Sequence, residues 1–201
     1  MSKRNRLRKF DIPAYYHVYN RGAHKEKIFI DVQDKRKFMS ILARYLDPET
    51  SSIRSDGVPY EKSPVKLAAY CLMGNHFHLL LYQNDNTTDV QQLMSSVTTA
   101  YSMYYNLRHK KSGRLFEGPY QASYIDTDSY LMHITRYIHL NPATYKTYRW
   151  SSLPEYLGTR HTPWIHPELA SGMTPQAYRH FLEEYEDRAA LLSAIKKSLN
   201  L

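Results

Sequence analysis

Hydrophobic and polar positions along the chain follow two periods, and the switches between them mark the elements. Residues 14–20 (AYYHVYN) are dense in strand-forming side chains and run into Arg21-Gly22, a turn signal, so they read as a strand. From Asp31 the period lengthens: Phe38, Ile41, Leu42 and Tyr45 recur at helical spacing among charged residues, until Asp47-Pro48 stops the run. Residues 49–64, with Ser, Gly and further prolines, read as a loop. Residues 65–73 and 76–82 then flank Gly74-Asn75, which predicts two strands joined by a tight turn. A long helical pattern over 89–108 carries Val90, Leu93, Met94, Val97 and Tyr101 on one side and ends in a basic run before Gly113. Residues 115–125 alternate loosely around Gly118-Pro119, as an irregular edge strand would. Asp126, Thr127 or Asp128 can cap a third helix that ends before Asn141-Pro142.

The first six elements, strand-helix-strand-strand-helix-strand, predict an α+β fold. It is a ferredoxin-like (RRM-like) antiparallel sheet with helices packed on one face and the other face free. The expected organisation is a basic arm over 1–13, one compact domain over 14–145, and a C-terminal helical extension over 146–201 packed on the core. That extension would hold helices near 151–157 and from 174 to about 199.

Composition narrows the partners. No apolar run approaches the roughly 20 residues of a membrane span, and the basic N-terminus is not followed by an apolar stretch, so the expected compartment is the cytoplasm. A single cysteine, Cys71, excludes an intrachain disulfide and a thiolate-rich zinc site. The net charge of +8 favours an anionic partner such as nucleic acid. Lys3, Arg4, Arg6, Arg8 and Lys9 in the arm, Arg21, and Arg108, Lys110, Lys111 and Arg114 are the candidate phosphate contacts; a solvated charge run is the plain alternative.

His76 and His78 stand at i and i+2 on a predicted strand and so share a face, with α-carbons about 6–7 Å apart, close enough for two imidazoles to converge on one ion. Imidazole suits Mn, Zn, Fe or Ni, and a further ligand is needed. The remaining histidines, including His17 and His139, lack such pairing and read as surface or packing residues. At the end of the third helix, Tyr137 and Asn141 are at i and i+4, so the Asn141 carbonyl could reach a metal beside the Tyr137 phenol. With 19 tyrosines in the chain, spacing alone does not make Tyr137 a nucleophile.

Four ordered segments, YHVYNRG at 16–22, YCLMGNHFHLLL at 70–81, LFEGPYQAS at 115–123 and RYIHLNP at 136–142, together with WSSLPEYLG at 150–158, resemble the single-tyrosine HUH transposases, and within them the REP-associated tyrosine transposases. The resemblance implies a divalent metal, Mg or Mn, held by His76, His78 and Asn141, and Tyr137 as the nucleophile. It further implies single-stranded or hairpin DNA as partner, a 5′-phosphotyrosine intermediate, and a monomer rather than a homodimer. The chain departs from the family at Gly74, where proline is frequent, at 118–121, which lacks basic residues, and at Ala143-Thr144, where an arginine is common. Two other readings stay open: a non-catalytic nucleic-acid-binding protein using an RRM-like sheet, and a metal-dependent hydrolase that cleaves with water and forms no adduct.

Overall fold

The computed structural model describes residues 10–184 and Ile195. The basic residues 3–9 and most of the expected last helix lie outside that range. Four strands, β1 (Ala14–Arg21), β2 (Lys66–Leu72), β3 (His76–Gln83) and β4 (Gln121–Ile125), form one antiparallel sheet in the order β2-β3-β1-β4. Helices α1 (Val32–Leu46) and α2 (Asp89–His109) make the two crossovers, which gives the ferredoxin-like arrangement. The third helix, α3 (Asp128–Leu140), follows β4; a short α4 (Leu153–Tyr156) and α5 (Pro175–Glu183) complete the described chain.

Local chemistry sets the helix ends. The Asp31 carboxylate accepts from the amides of Gln33 and Asp34 at the start of α1, Thr127 Oγ1 accepts from Tyr130 N at the start of α3, and Thr174 Oγ1 accepts from Ala177 N at the start of α5. Residues 151–157 form only the one turn of α4. Residues 115–120, expected as strand, contribute only a single bridge between Phe116 and Gly22.

The sheet separates two cores. Tyr16, Val18, Leu67, Leu72, Phe77, Leu79 and Leu81 pack with α1 and α2. The opposite face, expected to be free, is covered: Tyr19, Ala68, Ala69, Cys71 and Leu80 pack under Leu131, Ile134, Tyr137 and Ile138 of α3, joined by Leu153, Tyr156, Tyr178 and Leu182 of the extension. The physical reason is that α3 has its own apolar stripe and the face opposite α1 and α2 is where the sheet can bury it. The small side chains of Ala68, Ala69 and Cys71 let the helix approach closely. The segment after α3 also occupies the β2 edge: Leu72 N donates to Trp150 O at 2.9 Å, Ser152 N to Tyr70 O at 3.0 Å and His166 N to Leu67 O at 2.9 Å. An edge that would otherwise present unpaired backbone is thereby closed.

The loop between β1 and α1 is strapped to the β2–β3 turn. Gly22 N donates to Asn75 O, and the amides of Ile28 and Phe29 both donate to Gly74 O. Tyr101 and Tyr105 of α2 hold the same loop by donating to the carbonyls of Ile28 and Lys27. Gly22 is needed there, because a Cβ would lie 2.1 Å from Glu26 O. Beside it, the buried Asp34 carboxylate accepts from Ile30 N, Tyr104 Oη, His109 Nε2 and Arg108. Burial pushes the Asp34 carboxyl pKa up, but the donors from Ile30, His109 and Arg108 outweigh it and hold the group ionised. Asp34→Ala leaves these donors without their shared acceptor and is expected to cost about 3 kcal/mol, measured as a lowered denaturant midpoint. An unchanged midpoint would show that the network does not fasten α1 to α2.

Candidate active site

The histidine pair lies at the start of β3, where the strand leaves the turn. Strand pleat sends Phe77 and Leu79 toward α1 and α2, as expected, and turns His76 and His78 toward α3. The two imidazoles are 5.0 Å apart between ring centres and nearly perpendicular. Their Nδ1 atoms are both engaged. His76 Nδ1 lies 2.7 Å from Asn75 Oδ1, an oxygen that can only accept, so the ring proton sits on Nδ1 and Nε2 keeps its lone pair. His78 Nδ1 lies 2.9 Å from His17 Nε2.

Helix α3 brings the other two expected residues to the same place. The Tyr137 ring meets His78 edge-on at 5.2 Å, and the Asn141 amide, at the C-terminal cap of α3, lies 3.4 Å from His78 Nε2. Tyr137 is fully buried, and its hydroxyl makes no hydrogen bond of regular geometry among the described residues, although the Asn141 side chain lies within its reach. Burial pushes its phenol pKa up, with Asn141 acting in the opposite sense, so the group is a neutral phenol near pH 7.

His76, His78, Tyr137 and Asn141, picked from segments 60 residues apart in the sequence, thus meet in one site. Among the described residues no three His, Cys or acidic side chains cluster as a metal site would require if built from those groups alone. Two imidazoles whose Nδ1 atoms are engaged, plus an amide whose oxygen can turn inward, fit a divalent ion that accepts mixed nitrogen and oxygen ligands, as Mn does, and that would complete its shell with oxygens of a phosphate or water. The buried, unpartnered Tyr137 hydroxyl beside them fits the same reading, since an orphaned polar group in a packed core calls for a missing partner.

Of the histidines expected as surface or packing residues, two are buried packing residues with polar contacts. His17 on β1 is fully buried, contacts His78 and stands 5.9 Å from the Tyr137 ring. His139 on α3 is buried between Tyr178 Oη and Ser152 Oγ, at 2.7 and 2.8 Å, and ties α3 to the extension. Burial pushes both pKa values down to about 3. The signal for His17 was present in the period-2 face shared by Tyr15, His17 and Tyr19, but its value depended on β1 pairing with β3, with Tyr19 opposite His78.

The candidate phosphate contacts divide. Arg108 is held by Asp31 and Asp34, Arg21 by Glu117 at 2.9 Å, and Lys111 by Glu26 at 2.9 Å. Arg108 is therefore part of the framework. Lys110 and Arg114 make no ion pair among the described residues; with His24 and Lys27 they line a cleft between the loop after β1 and the C-terminal end of α2. The sheet face carrying Tyr15, His17 and Tyr19 lies under α3 and the extension, so it offers no open aromatic platform of the RRM kind. No helix among the described residues is long and apolar enough to cross a membrane.

Residues 58–141, from the loop before β2 to the end of α3, match the family model described as "Transposase IS200 like". No curated protein matches the chain. Among solved structures, the fold is similar to that of a REP-associated tyrosine transposase bound to a REP hairpin. The match has a TM-score of 0.52 at 11% identity and covers 83% of this chain and 98% of that one.

Proposed function

We propose, from the premise that residues 58–141 belong to the IS200-like transposases, that this chain is a DNA strand transferase that cuts and rejoins single-stranded or hairpin DNA through a covalent tyrosine link. The observation that carries the reading is the convergence of His76, His78, Asn141 and the unpartnered Tyr137 hydroxyl at the junction of β3 and α3. Hairpin DNA enters the proposal from the fold neighbour, which was solved on one.

In this mechanism Tyr137 Oη attacks a backbone phosphorus. A bond forms between that oxygen and phosphorus, the bond from phosphorus to the 3′ oxygen breaks, and the phenolic proton is balanced by the proton gained on the released 3′-hydroxyl. The product is a 5′-phosphotyrosine with the bond energy conserved, so the 3′-hydroxyl of the same or another strand can reverse the step. His76 and His78 through Nε2, with the Asn141 carbonyl oxygen, would hold Mg or Mn, which when bound supplies positive charge to the phosphate oxygens. The proposed working unit is a monomer in which Tyr137 serves the histidine pair of its own chain. Lys110, Arg114 and Lys27, which line one cleft, supply charge for the DNA backbone, and the basic residues 3–9 add to the net attraction.

The test is to incubate the protein with a labelled hairpin oligonucleotide carrying single-stranded flanks, with Mg²⁺, Mn²⁺ or EDTA, and look for a denaturation-resistant protein–DNA band. The band is expected with either metal and absent with EDTA. Cleavage with no adduct would replace this reading by water-driven hydrolysis, and DNA binding without cleavage would replace it by a binding protein.

A further inference from the structure

The contact between His17 and His78 has a consequence for which atom of His78 can act. Both rings are buried, their Nε2 and Nδ1 atoms lie 2.9 Å apart, and the rings stack at 27°. One proton lies between the two nitrogens, and it can belong to either ring. If it belongs to His17, His78 must carry its own proton on Nε2, the atom facing Asn141, and cannot coordinate there. If it belongs to His78, Nε2 has the lone pair, and His17 accepts.

We propose that His17 is a positioning residue of the metal site: its Nε2 accepts the Nδ1–H of His78, aims that ring at Asn141 and makes His78 Nε2 the coordinating atom. This rests on the reading of His76, His78 and Asn141 as the metal-holding set. His17 then plays toward His78 the part that Asn75 plays toward His76, so each ligand is oriented from behind by a different element, β1 in one case and the β2–β3 turn in the other. The arrangement also accounts for the second nitrogen of His17. With Nε2 accepting, its proton sits on Nδ1, which is buried with no partner among the described residues. A side chain selected for packing alone would not leave a polar atom in that state, and an apolar residue would fill the space without it.

The test compares Mn²⁺ affinity, by titration calorimetry or by the loss of the free-ion paramagnetic resonance signal, for the full-length protein without DNA. Wild type, His17→Leu and His17→Gln are measured; glutamine can place an acceptor near the position of Nε2. His17→Leu is expected to weaken Mn²⁺ binding roughly 10- to 100-fold without loss of thermal stability, and His17→Gln to recover most of it. Wild-type affinity in a folded His17→Leu protein overturns the role of His17 while leaving the metal site standing. A wild-type protein that binds no Mn²⁺ overturns the metal reading itself, and this role with it. Should the leucine variant misfold, long-range proton–nitrogen spectra of the wild-type histidines with saturating Mg²⁺ decide: His78 protonated on Nδ1 supports the role, and on Nε2 rejects it.

Discussion

Tyr137→Phe is expected to abolish the covalent protein–DNA adduct and lower strand cleavage by at least roughly 1,000-fold, while leaving the protein as stable as the wild type or slightly more so. The two halves have separate causes. The substitution removes the only atom that can form the phosphotyrosine bond, and water cannot produce a protein-linked product in its place. The stability half follows from burial. The hydroxyl is shut away from solvent with no partner among the described residues, so it carries a desolvation cost of about 1–3 kcal/mol that phenylalanine does not. A structural tyrosine behaves in the opposite way: Tyr101 donates to Ile28 O at 2.6 Å, and Tyr101→Phe should lower stability by about 1 kcal/mol. Gel analysis of the adduct together with thermal melting checks both halves. An adduct retained in Tyr137→Phe would remove Tyr137 from the chemistry; a clear fall in melting temperature would show that its hydroxyl has a structural partner.

Acidification is expected to remove about 5 kcal/mol of stability between pH 7 and pH 4.5, enough to unfold a domain of ordinary stability. His17 and His139 are fully buried with pKa values pushed down to about 3 from an ordinary 6.5, because the interior disfavours the imidazolium. The unfolded chain therefore binds protons that the folded one refuses. Their contribution is complete above pH 6.5 and is lost as pH falls from there toward 3, about 2.5 kcal/mol per histidine by pH 4.5. The groups facing His139 are the Tyr178 and Ser152 hydroxyls and the Tyr156 ring, and none is a carboxylate that would stabilise the charged form. Those facing His17 are His78, Tyr19 and Tyr137. Asp34, whose pKa is lowered, adds loss in the same direction only below the ordinary carboxyl range. Urea unfolding of the metal-free protein at the two pH values measures the difference. A change under about 1 kcal/mol would mean that water or a counter-charge reaches both rings.

The covered sheet face alters the meaning of the C-terminal extension. His139 joins Tyr178 and Ser152, and Arg136 Nη1 donates to Phe181 O. The segment after α3 is therefore fastened to the helix that carries Tyr137, and Ser152 N and His166 N fasten it to β2 as well. Tyr137 sits inside a packed layer rather than on an open platform. The extension is therefore part of the architecture around the proposed site.

Much of the fold was legible because it is local. The two strand-forming runs flanking Gly74-Asn75 located the β2–β3 hairpin, and the apolar spacing over 89–108 located α2 to within a residue of Asp89–His109. His76 and His78 were legible as a pair because strand geometry puts i and i+2 on one face, and Asn141 beside Tyr137 because a helix brings i and i+4 together. These relations depend only on the backbone period of one element. Across elements the period says nothing. The order of strands and helices predicted the ferredoxin-like sheet, but which face α3 covers and which arginines are already bound to aspartates are settled by packing and charge pairing between segments tens of residues apart. Local pattern thus sufficed for most of the elements and for which site residues share a face. Tertiary structure alone decided that His17 stands behind His78, that Arg108 is framework, and that Tyr137 is buried, because each is a contact between elements and is made only when the sheet closes.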